Sequence, residues 1–511
     1  MRNKLFGLIY MSSYKIQLNI VNLKDLTIIE KIDSPSFAQA DSKSEVFEND
    51  MEKICIAIDG FKQKLKEYRI EDFKFYANQQ LIDDLSASYI ADQIKVRIGL
   101  QVEWLSGSQI VYAKVLSGIK SFSKVQRGKT ETIPIYLLSL GSAMINLSYF
   151  ENHKFASTWS LPLGPREIQE INEITTTTPN NPIDVIKDYI GAKVGHLTRQ
   201  IKPSANAAIM IQHADSLSNK YLHENDTVTR ITSKEFDQFY KNTVNMPASY
   251  MMQEYQLEPA VAEHTLPNLI AIRKFIKLLK PDEIYITDMS VITGLLMQEA
   301  KKHTNKEIYS DDIITTFAKN MANRYLVDEN HAKEVERFAL HIFDRLRHVH
   351  MLNEKDRKLL TLAAIVDDVG NFINQSSRYE ESAEILNANK LIGLSEKENE
   401  IVKEICRYQT IDEGPGKPDI GGHHYRNLDS HIQLQVAKLS AILRIAIALD
   451  ASHKQKIKQI VVSLKEDNQL IIHAKTNADI TLERWSFNKR AKLFEEVFGI
   501  KVSLKQEGMN R

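Results

Sequence analysis

Small and polar residues interrupt apolar runs at three places where a loop could bind an anion. Gly141 and Ser142 lie between two strand-like runs, Ser12 and Ser13 do the same near the start, and Ser-Gly-Ser at 106–108 precedes a helical segment. Backbone N–H groups in such loops and at helix N-termini can bind phosphate, because glycine lets a ligand approach closely. The alternatives are an ordinary turn in a core hairpin and a plain helix N-cap. The candidate phosphate-binding residues are Ser12, Ser13, Gly107, Gly141 and Ser142.

The stretches around these two loops repeat each other. With Tyr10 placed over Ser139, the segment IYMSSYKIQLNIVNLKDLTIIEKI aligns with LLSLGSAMINLSYFENHKFASTWS without a gap. Each copy predicts a strand, a polar loop, a second strand, a hairpin and a third strand, followed by helical sequence. The repeat therefore predicts two similar α/β lobes with a ligand cleft where the loops face each other.

Composition indicates a large intracellular protein. The chain has 511 residues with 43% hydrophobic content, enough for several cores, and equal numbers of basic and acidic residues, which give no global field for nucleic acid or membranes. Cys55 and Cys406 lie in different predicted domains, so no disulfide framework is expected. No apolar run is long enough to span a membrane, and the apolar start continues as an alternating strand. We predict a cytoplasmic protein without a membrane anchor.

The pattern of apolar and polar residues changes along the chain. The repeated α/β pattern gives way near residue 301 to long amphipathic helices with few glycines, including 313–325, 331–348 and 354–369. A strand hairpin and a helix end the chain. The predicted domains are 1–130 (first lobe), 131–300 (second lobe), 301–455 (all-α) and 456–511 (small α+β unit).

Several segments together resemble the exopolyphosphatase and guanosine pentaphosphate phosphatase (Ppx/GppA) family along essentially the whole chain. The matching segments are LSG from Leu105, FENHKFASTWSLPLG from Phe150, HAKEVERFALHIFDRL from His331, KLIGLSEKENEIVKEICRY from Lys390, LSAILRIAIALDASH from Leu439 and LERWSFNKRAKLFEEVFG from Leu482. The resemblance implies two actin-like (sugar kinase/Hsp70/actin) lobes, an all-α HD-like domain and a small α+β C-terminal unit. It also implies hydrolysis of terminal phosphoanhydride bonds in polyphosphate or guanosine pentaphosphate, with Mg²⁺ as the cofactor of an active member.

The residues that would do this chemistry depart from the family pattern. Gln109 stands where the family has its catalytic base, and glutamine cannot accept a proton near neutral pH. Ser139 and Asn146 stand where the family's Asp-Ile-Gly-Gly-Gly-Ser-Thr-Glu loop has carboxylates. Tyr10 replaces the acid of the first loop, and Ile292 replaces an arginine. The catalytic positions are therefore Gln109, Ser139 and Asn146, and we expect them to be inactive.

Further differences from the family lie beside these positions. Ile110, next to Gln109, replaces the second carboxylate of the family's pair, and residues 209–217 contain no glycine where a glycine-rich loop is expected. Without glycine, a loop backbone approaches an anion less readily.

The helical domain departs in the same way. His331 and Asp368 match metal-ligand positions of HD domains, but Asp367 replaces a histidine and Ile447 an aspartate. We therefore predict vestigial positions (His331, Asp367, Asp368) and no stoichiometric metal. The alternative is a hard cation held by these three residues with Glu381, where the family has a histidine.

Basic residues crowd one segment, and they could contact a polyanion; the alternative is a solvated face. The segment contains Lys114, Lys120, Lys124, Arg127 and Lys129.

The sequence thus predicts an exopolyphosphatase-like protein, catalytically impaired, that binds polyphosphate or a phosphorylated nucleotide or regulates an active partner. As partners we consider a second copy of the chain and an active relative, and neither a membrane nor a specific nucleic acid. The alternative is an active exopolyphosphatase that releases terminal phosphate with Mg²⁺. Whether the chain is an enzyme is left open by the sequence.

Overall fold

The structure is a computed structural model that forms two compact units, residues 1–311 and 312–511. It describes residues 5–12, 15–35, 47–80, 82–126, 132–141, 144–152, 154–162, 171, 181–201, 203–204, 206–223, 226–304, 312–410, 420, 422–465 and 469–508. Within these ranges, every helix is too short or too polar to cross a membrane.

The first unit contains two mixed sheets. The first sheet has the strand order β3-β2-β1-β4-β5, with β1 antiparallel to β2 and parallel to β4. Its strands are β1 Leu5–Met11, β2 Lys15–Asn22, β3 Thr27–Pro35, β4 Phe73–Asn78 and β5 Glu103–Leu105.

The second sheet repeats this order and adds one strand. It runs β8-β7-β6-β9-β11-β10, with β6 antiparallel to β7 and parallel to β9. Its strands are β6 Ile135–Ser139, β7 Met144–Glu151, β8 Lys154–Pro162, β9 Ala208–Gln212, β10 Val228–Ile231 and β11 Glu283–Thr287.

The pairing register confirms the gapless repeat predicted from the sequence. Tyr10 pairs with Gln17 in the first sheet, and the residues aligned with them, Ser139 and Asn146, pair in the second. Even the irregularity in the next strand pair recurs, after Ile20 in the first sheet and after its counterpart Tyr149 in the second. The two lobes are therefore two copies of one strand arrangement.

Nine described helices surround these sheets. They are α1 Phe47–Glu67, α2 Asp84–Ile98, α3 Gly107–Val125, α4 Pro182–Gly195, α5 Asp215–Tyr221, α6 Ser233–Thr243, α7 Ala248–Glu254, α8 Pro259–Leu279 and α9 Val291–Thr304.

Helix α3 lies between the two sheets. The alternation of β1 sends Ile9 and Met11 into a core with α1 and α2, and Phe6, Leu8 and Tyr10 into a core with α3 and α9. Towards its other end α3 packs on the second sheet, where Gly118 leaves room for Leu137 of β6. Side chains on α3 can therefore reach the ends of strands in both lobes.

The second unit begins with helices whose caps can be read from the sequence. Asp328 caps α11 by accepting hydrogen bonds from the N–H groups of Asn330 and His331. Asn353 and Ser395 form capping boxes at α13 and α15. The helices are α10 Ile313–Arg324, α11 Glu329–Arg345, α12 Arg347–His350, α13 Glu354–Val366, α14 Arg378–Ala388, α15 Glu396–Arg407, α16 His423–Arg426 and α17 Ser430–Ala448, with 3₁₀ turns at Val369–Phe372 and Gln375–Ser377.

A three-stranded sheet and one helix complete this unit. Strand β12 (Gln459–Lys465) is antiparallel to β13 (Gln469–Lys475), and β13 is parallel to β14 (Lys501–Glu507). Helix α18 (Thr481–Phe498) connects the two parallel strands. One hydrophobic core contains residues of the long helices and of this sheet and helix. The domain boundaries within each unit stay a prediction.

Candidate functional site

The N-terminus of α3 positions the residue that matches the family base. Ser106 caps the helix: its Oγ accepts a hydrogen bond from the Gln109 N–H (3.3 Å), and the Ser106 N–H donates to Gln109 Oε1 (3.0 Å). This reciprocal pair is a capping box, a common stabilising device at helix starts. The side-chain oxygen of Gln109 is therefore occupied by backbone, and Gly107 is the first residue of the helix that this pair caps.

Three positions where the resemblance places charged side chains lie in one apolar cluster. Tyr10, Ile110 and Ile292 are 7%, 2% and 8% exposed and belong to the core between β1, α3 and α9. Burial raises the pKa of the Tyr10 hydroxyl well above its ordinary value. The three side chains at these positions carry no negative charge at neutral pH; the carboxylate beside the cluster is Glu299, which accepts a hydrogen bond from the Tyr76 hydroxyl (2.7 Å).

The ends of β6 and β9 carry a neutral hydrogen-bond chain. Ser139 Oγ donates to Gln212 Oε1 (2.5 Å), and the Gln212 amide donates to Ser117 Oγ on α3 (2.9 Å). Asn146, opposite Ser139 in the register, donates to Ser160 Oγ (2.8 Å). Ser139 and Asn146 are thus buried and bonded within the protein.

Lys114, one turn after Ile110 on α3, is the buried cation of this region. It is 6% exposed, and its ammonium has one hydrogen-bond acceptor, the Leu140 carbonyl oxygen at 3.4 Å. Among the residues that the structure describes, no carboxylate lies within ion-pair distance of it. Burial lowers the pKa of Lys114 to about 8. For this lysine the alternative of a solvated face is wrong.

Gly141 is needed where Lys114 approaches the second sheet. A Cβ on residue 141 would lie 2.7 Å from Lys114 Nζ and 2.7 Å from the Met144 carbonyl oxygen. Since a carbonyl oxygen of a paired strand cannot move aside, only glycine fits there. Ser142, the other candidate in this loop, lies outside the described residues.

A histidine adds to this region from the second lobe. His213 follows β9 with φ 58°, a conformation that favours glycine, and its Nδ1 is buried without a hydrogen-bond partner. Burial, with a further contribution from Lys114 and Lys15, lowers the pKa of His213 to about 3. The charge of Lys15, on β2 of the first lobe, thus acts on a loop of the second, as expected if the loops of the two lobes face each other.

Ser12, at the end of β1, is hydrogen-bonded to Lys15, the first residue of β2. Ser12 Oγ donates to the Lys15 carbonyl oxygen (3.0 Å) and accepts from the Lys15 N–H (3.2 Å). Ser13, the other candidate in this loop, lies outside the described residues. Lys15 itself is half-exposed and pairs with Asp33 at 3.4 Å.

In the second unit, the structure brings together some of the sequence-predicted metal positions. His331 and Asp368 are buried and lie in one cluster with His453, whose potential ligand atoms are all within 4.8 Å of one another. Asp367 is 2% exposed, and burial followed by the charge of Asp368 raises its pKa. Glu381 accepts a hydrogen bond from Ser377 (3.0 Å) and is not in the cluster.

Sequence reasoning missed His213, Gln212 and His453. Each of these residues lies in a loop or at the end of a strand, and its contacts are far away in sequence. Hydrophobic periodicity, which identifies residues within helices and strands, therefore gives no signal for them. Lys114 carried one signal, a charged residue on an otherwise apolar stretch of helix, but its sequence neighbours are also basic.

A doubled mixed α/β sheet followed by a helical unit defines the class of this protein, and two family models match it. The one described as the Ppx/GppA phosphatase family matches residues 20–303, and the one described as Ppx/GppA phosphatase, domain III, matches residues 314–495. The first match alone spans more than half of the 511 residues. The chain belongs to the Ppx/GppA phosphatase family, as its sequence segments predict.

Solved structures that match the chain share little sequence with it. A family member from Aquifex aeolicus is 16% identical, covers 59% of this chain and 99% of its own, and has a TM-score of 0.47. An exopolyphosphatase from Cytophaga hutchinsonii is 14% identical, with coverages of 58% and 98% and a TM-score of 0.48. The ethanolamine utilization protein EutJ from Carboxydothermus hydrogenoformans is 10% identical, with coverages of 57% and 87% and a TM-score of 0.28. No curated protein sequence matches the chain.

Proposed function

We propose that this chain is an exopolyphosphatase-like protein that binds polyphosphate or another phosphorylated anion and has lost efficient hydrolysis. The observation that carries the proposal is the apolar cluster of Tyr10, Ile110 and Ile292. In an active family member, the resemblance places an acid, a carboxylate and an arginine at these positions.

Phosphoryl transfer depends on charge more than on any other feature. The transition state spreads negative charge over the phosphoryl oxygens, and enzymes stabilise it with metal ions and cationic side chains. A general base adds a factor of about 10² to 10⁴ in rate. Here the apolar cluster occupies the cation and carboxylate positions, and the Gln109 side chain caps a helix. These losses together support a site without efficient catalysis.

Lys114 supports a retained capacity to bind an anion. A buried ammonium without a carboxylate partner destabilises the folded protein, because the charged form is poorly solvated. A phosphate oxygen bound to the Lys114 ammonium would offset that cost. The ammonium would then neutralise phosphate charge, as a metal ion does in an active enzyme. Gly141 would let the anion lie close to the backbone, and His213 Nδ1 would offer a further polar contact.

The first test measures phosphate release from long-chain polyphosphate with Mg²⁺ by the purified full chain. We expect no release above background. Turnover near the ordinary enzyme range, about 1 s⁻¹ or more, that co-purifies with the chain would overturn the proposal and return the protein to the active class.

The second test measures polyphosphate binding by calorimetry for the wild type and Lys114→Met. We expect the variant to lose binding while its Tm is equal or higher, because methionine fills the same space without a buried charge. Lys234→Met is the matched control, since Lys234 is an exposed lysine in the first turn of α6. Equal binding by wild type and Lys114→Met would exclude the site.

A further inference from the structure

The second unit holds a cluster of two histidines and one aspartate on three separate segments. His331 is in the first turn of α11, Asp368 follows α13, and His453 follows α17. Their potential ligand atoms lie within 4.8 Å of one another, close to the spacing of ligands around one ion. We propose that these three residues bind one divalent first-row transition-metal ion.

Both imidazoles are held by carboxylates in the manner of metal-bound histidines. His331 Nδ1 lies 2.9 Å from Asp450 Oδ2, and His453 Nδ1 lies 3.2 Å from Asp328 Oδ2. An ionised carboxylate can only accept, so each Nδ1 carries the proton and each Nε2 keeps a lone pair for a metal. The two rings stack with centroids 3.6 Å apart, so the two imidazoles lie next to each other.

The supporting carboxylates are themselves anchored. Asp450 Oδ1 accepts from the Gln455 N–H (2.8 Å), and Asp328 caps α11 through two backbone N–H groups. Such outer partners fix the tautomer and the orientation of a metal-binding histidine. These hydrogen bonds therefore fix the tautomer of both histidines and restrain their rings before any ion binds.

A second, independent feature points to a cation. Asp367, which directly precedes Asp368, is 2% exposed, and its carboxyl group has no hydrogen-bond partner among the described residues. A buried carboxylate without a partner is costly, and a cation beside it would offset the cost. One compensating charge is already present: Arg378 Nε lies 3.5 Å from Asp368 Oδ1.

The ligand types select the class of ion. Two imidazole nitrogens and one carboxylate oxygen suit Zn²⁺, Fe²⁺, Co²⁺ or Mn²⁺, whereas Mg²⁺ and Ca²⁺ prefer oxygen ligands only. His453 is exposed, which gives an ion a path to the site. The sequence-based expectation of no metal rested on the HD-domain positions, where Asp367 and Ile447 replace expected ligands, and it did not include His453.

The test uses the full chain, purified without chelator and with a tag that contains no histidine. Elemental analysis is expected to give one transition-metal ion per chain, and chelator-treated protein is expected to take up one Zn²⁺ or Co²⁺ in calorimetric titration. Excess Mg²⁺ or Ca²⁺ should not displace it. Wild-type protein that neither retains nor takes up a transition metal would overturn the proposal.

Variants locate the site. His453→Asn and Asp368→Asn should abolish uptake, and asparagine tolerates the positive φ of 54° at residue 453. His348→Asn, an exposed histidine outside the cluster, is the control and should bind as the wild type does.

Asp450→Asn keeps all three ligands and should weaken binding by about 10- to 100-fold through loss of orientation. Unchanged uptake by both His453→Asn and Asp368→Asn, with folding confirmed by Tm, would place any bound metal elsewhere and refute the site.

Discussion

At the scale of single residues, Gln109 is the residue that the resemblance places at the family's base position. Its side chain closes a capping box with Ser106. Ile110 and Lys114 lie one turn apart on α3, and both are buried. The first is apolar, and the second places a charge inside the protein. Neighbouring turns of α3 thus contain Gln109 and Ile110, on which the proposed loss of hydrolysis depends, and Lys114, which we propose to bind an anion.

We expect Gln109→Glu to leave hydrolysis at background, even combined with Ser139→Asp. A glutamate at this position would still accept the Ser106 N–H, and Tyr10 and Ile292 would still supply no charge for a metal or phosphate. Gln109→Glu alone should change the free energy of unfolding by less than about 1 kcal/mol, whereas Ser139→Asp should destabilise the fold because it places a carboxylate at a buried position beside Gln212 Oε1. Metal-dependent phosphate release by either variant would show that only the base had been lost.

The pKa of Lys114 predicts how polyphosphate binding depends on pH. Burial depresses it to about 8, so the ammonium loses its proton as pH rises through this value in the free protein. An anion favours the protonated form, so affinity should be constant below pH 8 and fall above it by up to about tenfold per unit. Calorimetry from pH 6 to 9.5 measures this, with Lys234→Met as the control that should follow the wild-type profile. A flat wild-type profile would remove Lys114 from the site.

The lowered pKa of Lys114 also predicts that the stability of the folded protein increases with pH, whereas the affinity for an anion decreases. Because the folded-state pKa lies below the unfolded value near 10.5, the folded protein is penalised while Lys114 is charged. This penalty is complete below about pH 8 and disappears as pH rises towards 10.5. The lysine therefore lowers stability at neutral pH, as expected for a group kept for binding.

At the scale of elements, the contact between α3 and α9 fixes where these residues lie. A Cβ on Gly294 of α9 would come within 1.9 Å of the Ala113 carbonyl oxygen on α3. No side chain fits at that distance, so the two helices touch through backbone. Ala113 precedes Lys114, and the contact thus sets the depth of the lysine.

Gly294→Ala should destabilise the first unit by several kcal/mol, or prevent its folding, because backbone must move to admit one methyl group. Gly195→Ala, at the end of α4 with no atom within 4 Å of the added Cβ, is the matched control. It should be neutral or stabilising by up to about 1 kcal/mol. Chemical denaturation of the two variants tests this, and equal stability would show that the helices separate easily.

At the scale of the whole molecule, each unit has its own core. In the second unit one core joins the long helices to β12, β13 and α18, with Phe487 of α18 fully buried in it. The chain has no net charge, so anion binding depends on local groups such as Lys114 rather than on a global field.

Residues 312–511 expressed alone should fold with one cooperative thermal transition, because their core is formed within that range. Phe487→Ala should lower the stability of the entire fragment by about 3–5 kcal/mol. Trp485→Ala, on an exposed position of the same helix, is the control. Two separate transitions, with only the smaller affected by Phe487→Ala, would support an independent domain from residue 456.

The sequence alone determined the doubled strand arrangement, and it predicted neutral residues at positions where the resemblance places charged ones. The repeat was readable because strand alternation and turn residues are local properties, and the gapless alignment carried over into the pairing register. The missing carboxylates at Gln109, Ser139 and Asn146 are properties of residue type. Neither inference requires knowledge of which segments meet.

Only the tertiary structure decided which side chains surround these positions. That Tyr10, Ile110 and Ile292 form one cluster depends on three segments packing together. That Lys114 is buried depends on α3 lying between two sheets, whereas its basic sequence neighbours suggested an exposed face. His453 meets His331 across more than a hundred residues. Burial and long-range juxtaposition arise from packing, and no local pattern in the chain encodes them.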